Sequence, residues 1–345
     1  MAGLVSVESV HAAAERMRCV VARTALRLSP SLSRATGAEC WLKLECEQHT
    51  GSFKLRGAFN ALALIPAAGR SRGVVASSAG NHGLGVARAG RELGIAATIF
   101  VPSTAPAVKR EGIARLGATV DSSRADYDSA MVAALEHAAA TGATFVNPCA
   151  GDDLLAGQGT VALEIHEELA TVAAVVVPVG GGGLAGGMAS YLRAAAPGVR
   201  ILGAQSERTD AMARSLAAGR VVDIGHEPTL ADGLAGAIDA EGLAIGRAAL
   251  DDVAVVSEDA IAEAIAWLAR EEGLTVEGSG AAGVAALLTG ALGSVAGPVA
   301  VVVSGGNIDP ARHAAIVRRA ASNQPSAPSN DGGQGSGVRH SERCC

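Results

Sequence analysis

Thr50-Gly51-Ser52-Phe53-Lys54-Leu55-Arg56-Gly57-Ala58 lies between an apolar, strand-like run, Cys40 to Leu44, and a helix-like run, Leu55 to Leu64. A strand-to-helix turn opens at the carboxyl edge of a sheet, which is where α/β proteins place functional side chains. Lys54 occupies that turn. The chain has three lysines, Lys43, Lys54 and Lys109, and carries its other positive charge on arginine. Arginine stays protonated and cannot form a Schiff base, whereas a desolvated lysine can. A surface lysine near a helix start is the alternative, and this stretch alone leaves both readings open.

Working outward, short β-rich runs alternate with Ala-rich helical runs. Val5 to Arg16 reads as a helix and Thr24 to Thr36 as a connecting segment. Strands are expected at 74–77, 97–101, 118–122 and 144–146, with helices at 81–93, 107–116 and 127–140. A second set runs from a helix at 157–169 through strand 174–179, helix 184–196 and strand 201–204. After an irregular stretch come strand 253–256, helices 259–270 and 280–288, and strand 298–303. This alternation predicts βαβ units: an α/β fold with two lobes of parallel or mixed sheet flanked by helices, and a cleft between them. The small, mobile lobe is expected at 71–147 and the large one at 1–70 with 148–321. From Ser322 onward the composition turns to Ser, Asn, Gln, Pro and Gly, so 322–345 is expected to be a disordered tail.

Composition narrows the class. Of 345 residues, 49% are hydrophobic and 18% charged, which is a globular balance. Aromatics are only 2%, so the apolar mass is Ala, Val, Leu and Gly, suited to closely packed helices and buried parallel strands. The net charge is −6, and no basic stripe invites nucleic acid. No run is long enough to span a bilayer, and the N-terminus lacks a signal-peptide profile, so no membrane partner and a cytoplasmic location are expected. The six cysteines form no CxxC pair and do not cluster with His at metal spacing; no metal is expected.

Three loops follow predicted strands. Ser77-Ser78-Ala79-Gly80-Asn81-His82-Gly83 combines small residues, which let backbone approach a ligand, with an amide able to donate and accept. An ordinary helix N-cap is the alternative. Val179-Gly180-Gly181-Gly182-Gly183-Leu184 opens a helix, and its backbone N–H groups together with the helix dipole suit a phosphate. The flanking apolar runs argue against a flexible linker. Gly181-x-Gly183-x-x-Gly186 also matches the dinucleotide fingerprint, with Glu207 21 residues beyond Gly186. An NAD-dependent oxidoreductase would explain that spacing but leaves Lys54 and the Asn81 loop without a role. The third loop, Val303-Ser304-Gly305-Gly306-Asn307, taken alone reads as a turn.

Together these stretches, with Ala156-Gly157-Gln158-Gly159-Thr160 and Ala231-Asp232-Gly233, occur in an order that resembles the fold-type-II pyridoxal-phosphate enzymes. The branch is that of threonine dehydratase and serine racemase, with a tryptophan synthase β-like fold. The resemblance covers about residues 5 to 320. It implies pyridoxal 5'-phosphate as cofactor, held covalently by Lys54. It places Phe53 against the pyridine ring, Asn81 on the ring hydroxyl, the backbone of Gly180, Gly181, Gly182, Gly183 and Leu184 around the phosphate, and Ser304 at the pyridine nitrogen. Ser78, Ala79, Gly80 and His82 would receive the substrate carboxylate. The partner implied is a small amino acid; the protein would be a homodimer or homotetramer.

The implied reaction is dehydration and deamination of L-threonine or L-serine. A hydroxyl at the ring nitrogen cannot protonate it as an aspartate can, so prompt loss of the β-hydroxyl is favoured over a long-lived carbanion. Serine racemases carry Ser where Ala79 stands, and a methyl group moves no proton, so little racemisation is expected. The racemase branch also has a cation-ligating Glu at Gln205, and a neutral amide is a poorer ligand for a hard cation, although Glu207 and Asp210 are near. Cys149 stands in the substrate-side loop, where it fills space or marks an altered substrate. The short stretch after the core leads us to expect no regulatory domain. Serine racemase, 3-hydroxyaspartate dehydratase and a non-catalytic cofactor-binding protein are the alternatives.

Overall fold

The computed structural model describes residues 3–322, without His226 and Ala237 and with only the backbone of Val108. Among these residues ten strands form two sheets: β1 (Leu26–Leu28), β2 (Cys40–Lys43), β3 (Val74–Ser77), β4 (Ala97–Pro102), β5 (Thr119–Arg124), β6 (Thr144–Phe145), β7 (Ala174–Pro178), β8 (Arg200–Ser206), β9 (Asp252–Val256) and β10 (Val299–Val302). The larger sheet has the order β1-β2-β10-β7-β8-β9; β1 runs antiparallel to β2 and the remaining pairs are parallel. The smaller sheet, β5-β4-β3-β6, is parallel throughout.

The central strands show why the sheet is covered on both faces. Every residue of β7 and β10 is buried, and near-continuous apolar, Val-rich runs are what two-sided burial requires. Alternate residues enter different cores. Val176, Val299 and Val301 join Leu32, Ile261 and the helix Gly278–Leu288. Val175, Val177 and Val302 join Met188, Leu192 and Ile165 on the other face. There the helices Lys54–Ala63, Asp152–Glu168 and Gly183–Ala195 pack almost backbone to backbone. A Cβ on Gly187 would lie 2.6 Å from the Leu155 carbonyl oxygen, and one on Gly157 would lie 2.6 Å from that of Arg56.

Several elements differ from the sequence reading. The connecting segment 24–36 holds β1 and a helix, Pro30–Thr36, whose Ser29 cap and leading proline set its start. The helix expected from 157 begins at Asp152, after Gly151 at φ 105°. The irregular stretch contains helices Ala211–Ala218 and Ala240–Ala249, the second capped by Asp239. A further helix, Pro310–Ser322, follows the last strand. The expected tail lies, beyond Ser322, outside the described residues.

Beneath the first turn of the Lys54 helix lies a buried ionic cluster. Arg56 grips Glu45 with Nε and Nη2, at 2.8 and 2.7 Å, and reaches Glu164 with Nη1 and Nη2, at 2.7 and 2.9 Å. Lys43 Nζ donates to Glu164 and to the Thr24 carbonyl, both at 2.6 Å. Burial alone would raise the Glu45 carboxyl; Arg56, with help from Lys43 and Thr24, holds it below its usual range. Burial pulls the Arg56 guanidinium down, and the two carboxylates more than reverse that. Arg56→Ala would leave buried Glu45 with only the Thr24 hydroxyl and Glu164 with only Lys43, and is expected to destabilise the fold by about 3–5 kcal/mol. Urea denaturation checks this, and a loss near that of a surface substitution would contradict the role of the cluster.

Candidate functional site

β3 and β6 of the smaller sheet and β7 and β10 of the larger one end at a cavity of about 1870 Å³. Its wall includes Phe53, Lys54, Ser78, Ala79, Gly80, Asn81, His82, Gly180, Gly181, Gly182, Gly183, Leu184 and Ser304. The structure thus gathers the candidate residues around one space, although they span 250 positions from Lys54 to Ser304. The approach of Lys109 Nζ to Asp232 Oδ2, at 3.3 Å, links the helix Ala107–Arg115 beside the small sheet to the turn at Asp232–Leu234.

The glycine loop is shaped by what lies beneath it. A Cβ on Gly181 would fall 2.8 Å from Cys149 Sγ, and one on Gly183 would fall 2.7 Å from the Cys149 carbonyl oxygen. Gly182, at φ 92°, turns the chain into the helix Gly183–Ala195. The first N–H groups of a helix have no partner within it, and its dipole draws negative charge. A cradle without side chains, at a helix start, fits a phosphate monoester. Thr50 Oγ1 and Ser77 Oγ, also on the wall, are buried without hydrogen-bond partners, as expected of groups that meet a polar ligand.

Lys54 begins its helix, and its Nζ donates to the Pro148 carbonyl at 2.7 Å. That amine also lies 5.2 Å from the centre of the Phe53 ring. Phe53 is held in turn by its own N–H to the Ser304 carbonyl, at 3.1 Å. The Ser78 loop is pinned by the Gly80 N–H to Ser78 Oγ, at 3.2 Å. His82 Nε2 lies 2.9 Å from the Val146 carbonyl. Since a carbonyl only accepts, this nitrogen carries the hydrogen. Burial, with Lys54 nearby, pushes the His82 pKa down to about 3, so the ring is neutral.

Asn81 is oriented from both ends. Its Nδ2 donates to Glu277 Oε1 at 2.6 Å, and its Oδ1 accepts from Asn307 Nδ2 at 2.7 Å. Asn307 also donates to the Thr50 carbonyl, at 2.8 Å. Glu277 is a site residue that the sequence reading missed. Its one local signal is a glutamate directly before a helix of small residues, Gly278-Ser279-Gly280. Burial, reinforced by Asp232, raises its carboxyl to about 8. Glu207, the acidic residue of the dinucleotide spacing, is not on the cavity wall; it takes the backbone N–H of Glu258 at 3.1 Å. The glycine loop is therefore not accompanied by the ribose partner that a dinucleotide site needs.

Comparison with known proteins agrees with this geometry. The family model described as "Pyridoxal-phosphate dependent enzyme" matches residues 19–305. The chain is 44% identical to an L-threonine ammonia-lyase of Thermotoga maritima, covering 89% of this chain and 76% of that one. It is 38% identical to an L-threonine ammonia-lyase of Geobacter sulfurreducens, covering 90% and 77%. Among solved structures, maize serine racemase superposes with a TM-score of 0.85 at 33% identity, covering 92% of this chain and 98% of that one.

The buried Glu277 has a measurable consequence. Its folded pKa is raised from 4.5 to about 8, so the native state retains a proton that the unfolded chain loses in between. The associated stability is present below the unfolded value and is lost as pH rises through the folded one. Wild-type cofactor-free protein is expected to lose stability relative to Glu277→Gln between about pH 5 and pH 8, by up to about 1.4 kcal/mol per pH unit. Parallel pH dependence of the two proteins in urea denaturation would contradict the assignment.

Proposed function

The chain belongs to the pyridoxal-phosphate-dependent enzymes, and we propose that it removes water and ammonia from a hydroxy amino acid, L-threonine and L-serine first, leaving a 2-oxo acid. The observation that carries this reading is the state of the cavity amine. Lys54 Nζ bonds to a carbonyl oxygen, and no carboxylate pairs with it among the described residues. Similarity to L-threonine ammonia-lyases over most of the chain supports the same reaction.

When bound, pyridoxal phosphate supplies an electron sink that acidifies the Cα–H bond of an amino acid joined to it. The roles assigned to this chain are those its resemblance implies, and the gathering of these residues on one cavity wall supports them. The N–H groups of Gly180 to Leu184 hold the phosphate. Phe53 would flank the ring, Asn81 would meet the ring hydroxyl and Ser304 the ring nitrogen. The Ser78–His82 loop takes the substrate carboxylate. Lys54 would hold the cofactor, and its Nζ, when not so engaged, would accept the Cα proton. The same amine returns a proton to the β-hydroxyl, which leaves as water as the Cβ–O bond breaks. Hydrolysis of the released enamine gives ammonia and the 2-oxo acid. In this reading residues 71–147 form a small lobe that closes over the substrate, and 1–70 with 148–321 form the lobe that holds the cofactor.

A second reading, serine racemisation, is favoured by the likeness to maize serine racemase. Residue 79 opposes it. Reprotonation of Cα from the far side needs an acid there, and Ala79 presents a methyl group to the cavity.

The test is 2-oxo acid release from L-threonine, L-serine and 3-hydroxyaspartate by the purified holoenzyme. Release from threonine or serine is expected, with no accumulation of D-serine from L-serine. Lys54→Ala is expected to lower kcat by about 10³-fold or more. Full activity in that variant, or D-serine formed as fast as the 2-oxo acid, would sink the scheme. Light scattering on the same preparation tests the homodimer or homotetramer that we also infer.

A further inference from the structure

Gln205, on β8, is fully buried, and its carboxamide is committed entirely to backbone. Nε2 donates to the Val179 carbonyl at 3.0 Å and to the Thr209 carbonyl at 2.7 Å. Oε1 accepts the Ala213 N–H at 2.9 Å. A carboxamide has two N–H donors, and both are used. Val179 is the last residue before Gly180; Thr209 and Ala213 lie in the turn and first helical turn that follow β8. One side chain therefore ties the root of the glycine loop to the neighbouring strand's exit.

The groups around that amide have the character of cation ligands. Two carbonyl oxygens converge on Nε2. Asp210 Oδ1 and Thr209 Oγ1 are buried without partners, while Asp210 Oδ2 takes Arg214 Nε at 2.8 Å. A hard divalent cation binds oxygens of this kind, with carboxylates supplying the charge. The sequence resembles a branch that places a glutamate here for such a cation. The residues of this chain do not fit one: the point where the carbonyls converge is filled by an amide nitrogen, and the amide brings no negative charge.

We propose that Gln205 is a positioning residue that replaces a structural cation, its Nε2 drawing together the Val179 and Thr209 carbonyls and so fixing the root of the Gly180–Gly183 loop. The effect on cofactor rests on the reading of that loop as the phosphate cradle; the effect on cations does not.

The experiment has two readouts on holoenzyme, thermal midpoint and cofactor dissociation constant, each measured in EDTA and in excess magnesium or calcium. Wild type is expected to be indifferent to the cation in both. Gln205→Leu, which strands both carbonyls, is expected to weaken cofactor binding about tenfold or more, without rescue by cation. Gln205→Glu is expected to be impaired in EDTA, where its carboxylate faces the two carbonyls, and to recover towards wild type when cation is added. A cation-dependent rise in the wild-type midpoint would overturn the proposal, as would a Gln205→Glu protein indifferent to cations. Those two proteins decide the matter if Gln205→Leu does not fold. Cofactor affinity unchanged in every variant, with cation-dependent stability in Gln205→Glu, would uphold the tie and overturn the cradle instead.

Discussion

The fold of the site depends on a guanidinium that never reaches water. Arg56 sits two residues after Lys54, on the same helical turn, and is bonded to carboxylates from two other segments. Such a cluster is costly to bury, and hydrophobic residues of equal volume would serve stability as well or better. The close approach of Gly157 to the Arg56 carbonyl sets the Lys54 helix against Asp152–Glu168, and the ionic cluster adds bonds of fixed direction to that contact. Displacing the Lys54 helix along its axis would break the fork to Glu45 and the two bonds to Glu164 together. The ions under the helix thus locate the amine at its start, and they do so without entering the cavity.

The cavity side follows the opposite rule. Two buried groups on the cavity wall are held neutral: His82, and Glu277, which keeps its proton up to about pH 8. Asn81 shows what this neutrality serves. With Asn307 donating to its oxygen and Glu277 accepting from its nitrogen, the amide cannot be drawn either way round. One N–H and one lone pair remain for a ligand. A charged Glu277 would compete with a ligand for that amide. A protonated one fixes it without adding a negative charge to the cavity.

Much of this arrangement was legible in the chain, for definite reasons. The helix after β3 begins at Asn81 because Gly80 ends the loop, and β7 reads clearly because both its faces are buried. The glycine loop and the Ser304 loop stand out because turns at strand ends restrict residue choice. Other features left little local trace. β1 is a three-residue edge strand, paired on one side only. The helices Ala211–Ala218 and Ala240–Ala249 lie between turns in a stretch whose Ala and Gly content obscures periodicity. Glu45, Arg56 and Glu164 converge from distant segments, and spacing along a chain carries no information about such a meeting. Glu277 escaped notice because a lone glutamate before a helix is ordinarily a solvated first-turn charge; only its burial distinguishes it.

Holding a loop with an ion and holding it with an amide have different consequences. An ion binds two carbonyls strongly but is exchangeable, so the geometry it imposes varies with supply. A buried carboxamide imposes a weaker constraint that is always present. At Gln205 the weaker constraint suffices because Val179 is already fixed by β-sheet neighbours: its N–H bonds to the Ala204 carbonyl at 3.0 Å. Only its own carbonyl remains free to swing, and a single good hydrogen bond removes that freedom. The loop that follows carries no side chains to anchor it, so the orientation of the Val179 peptide is passed directly to the N–H groups of the glycines. On this proposal a small neutral group at the root of the loop sets how the N–H groups of four glycines are aimed.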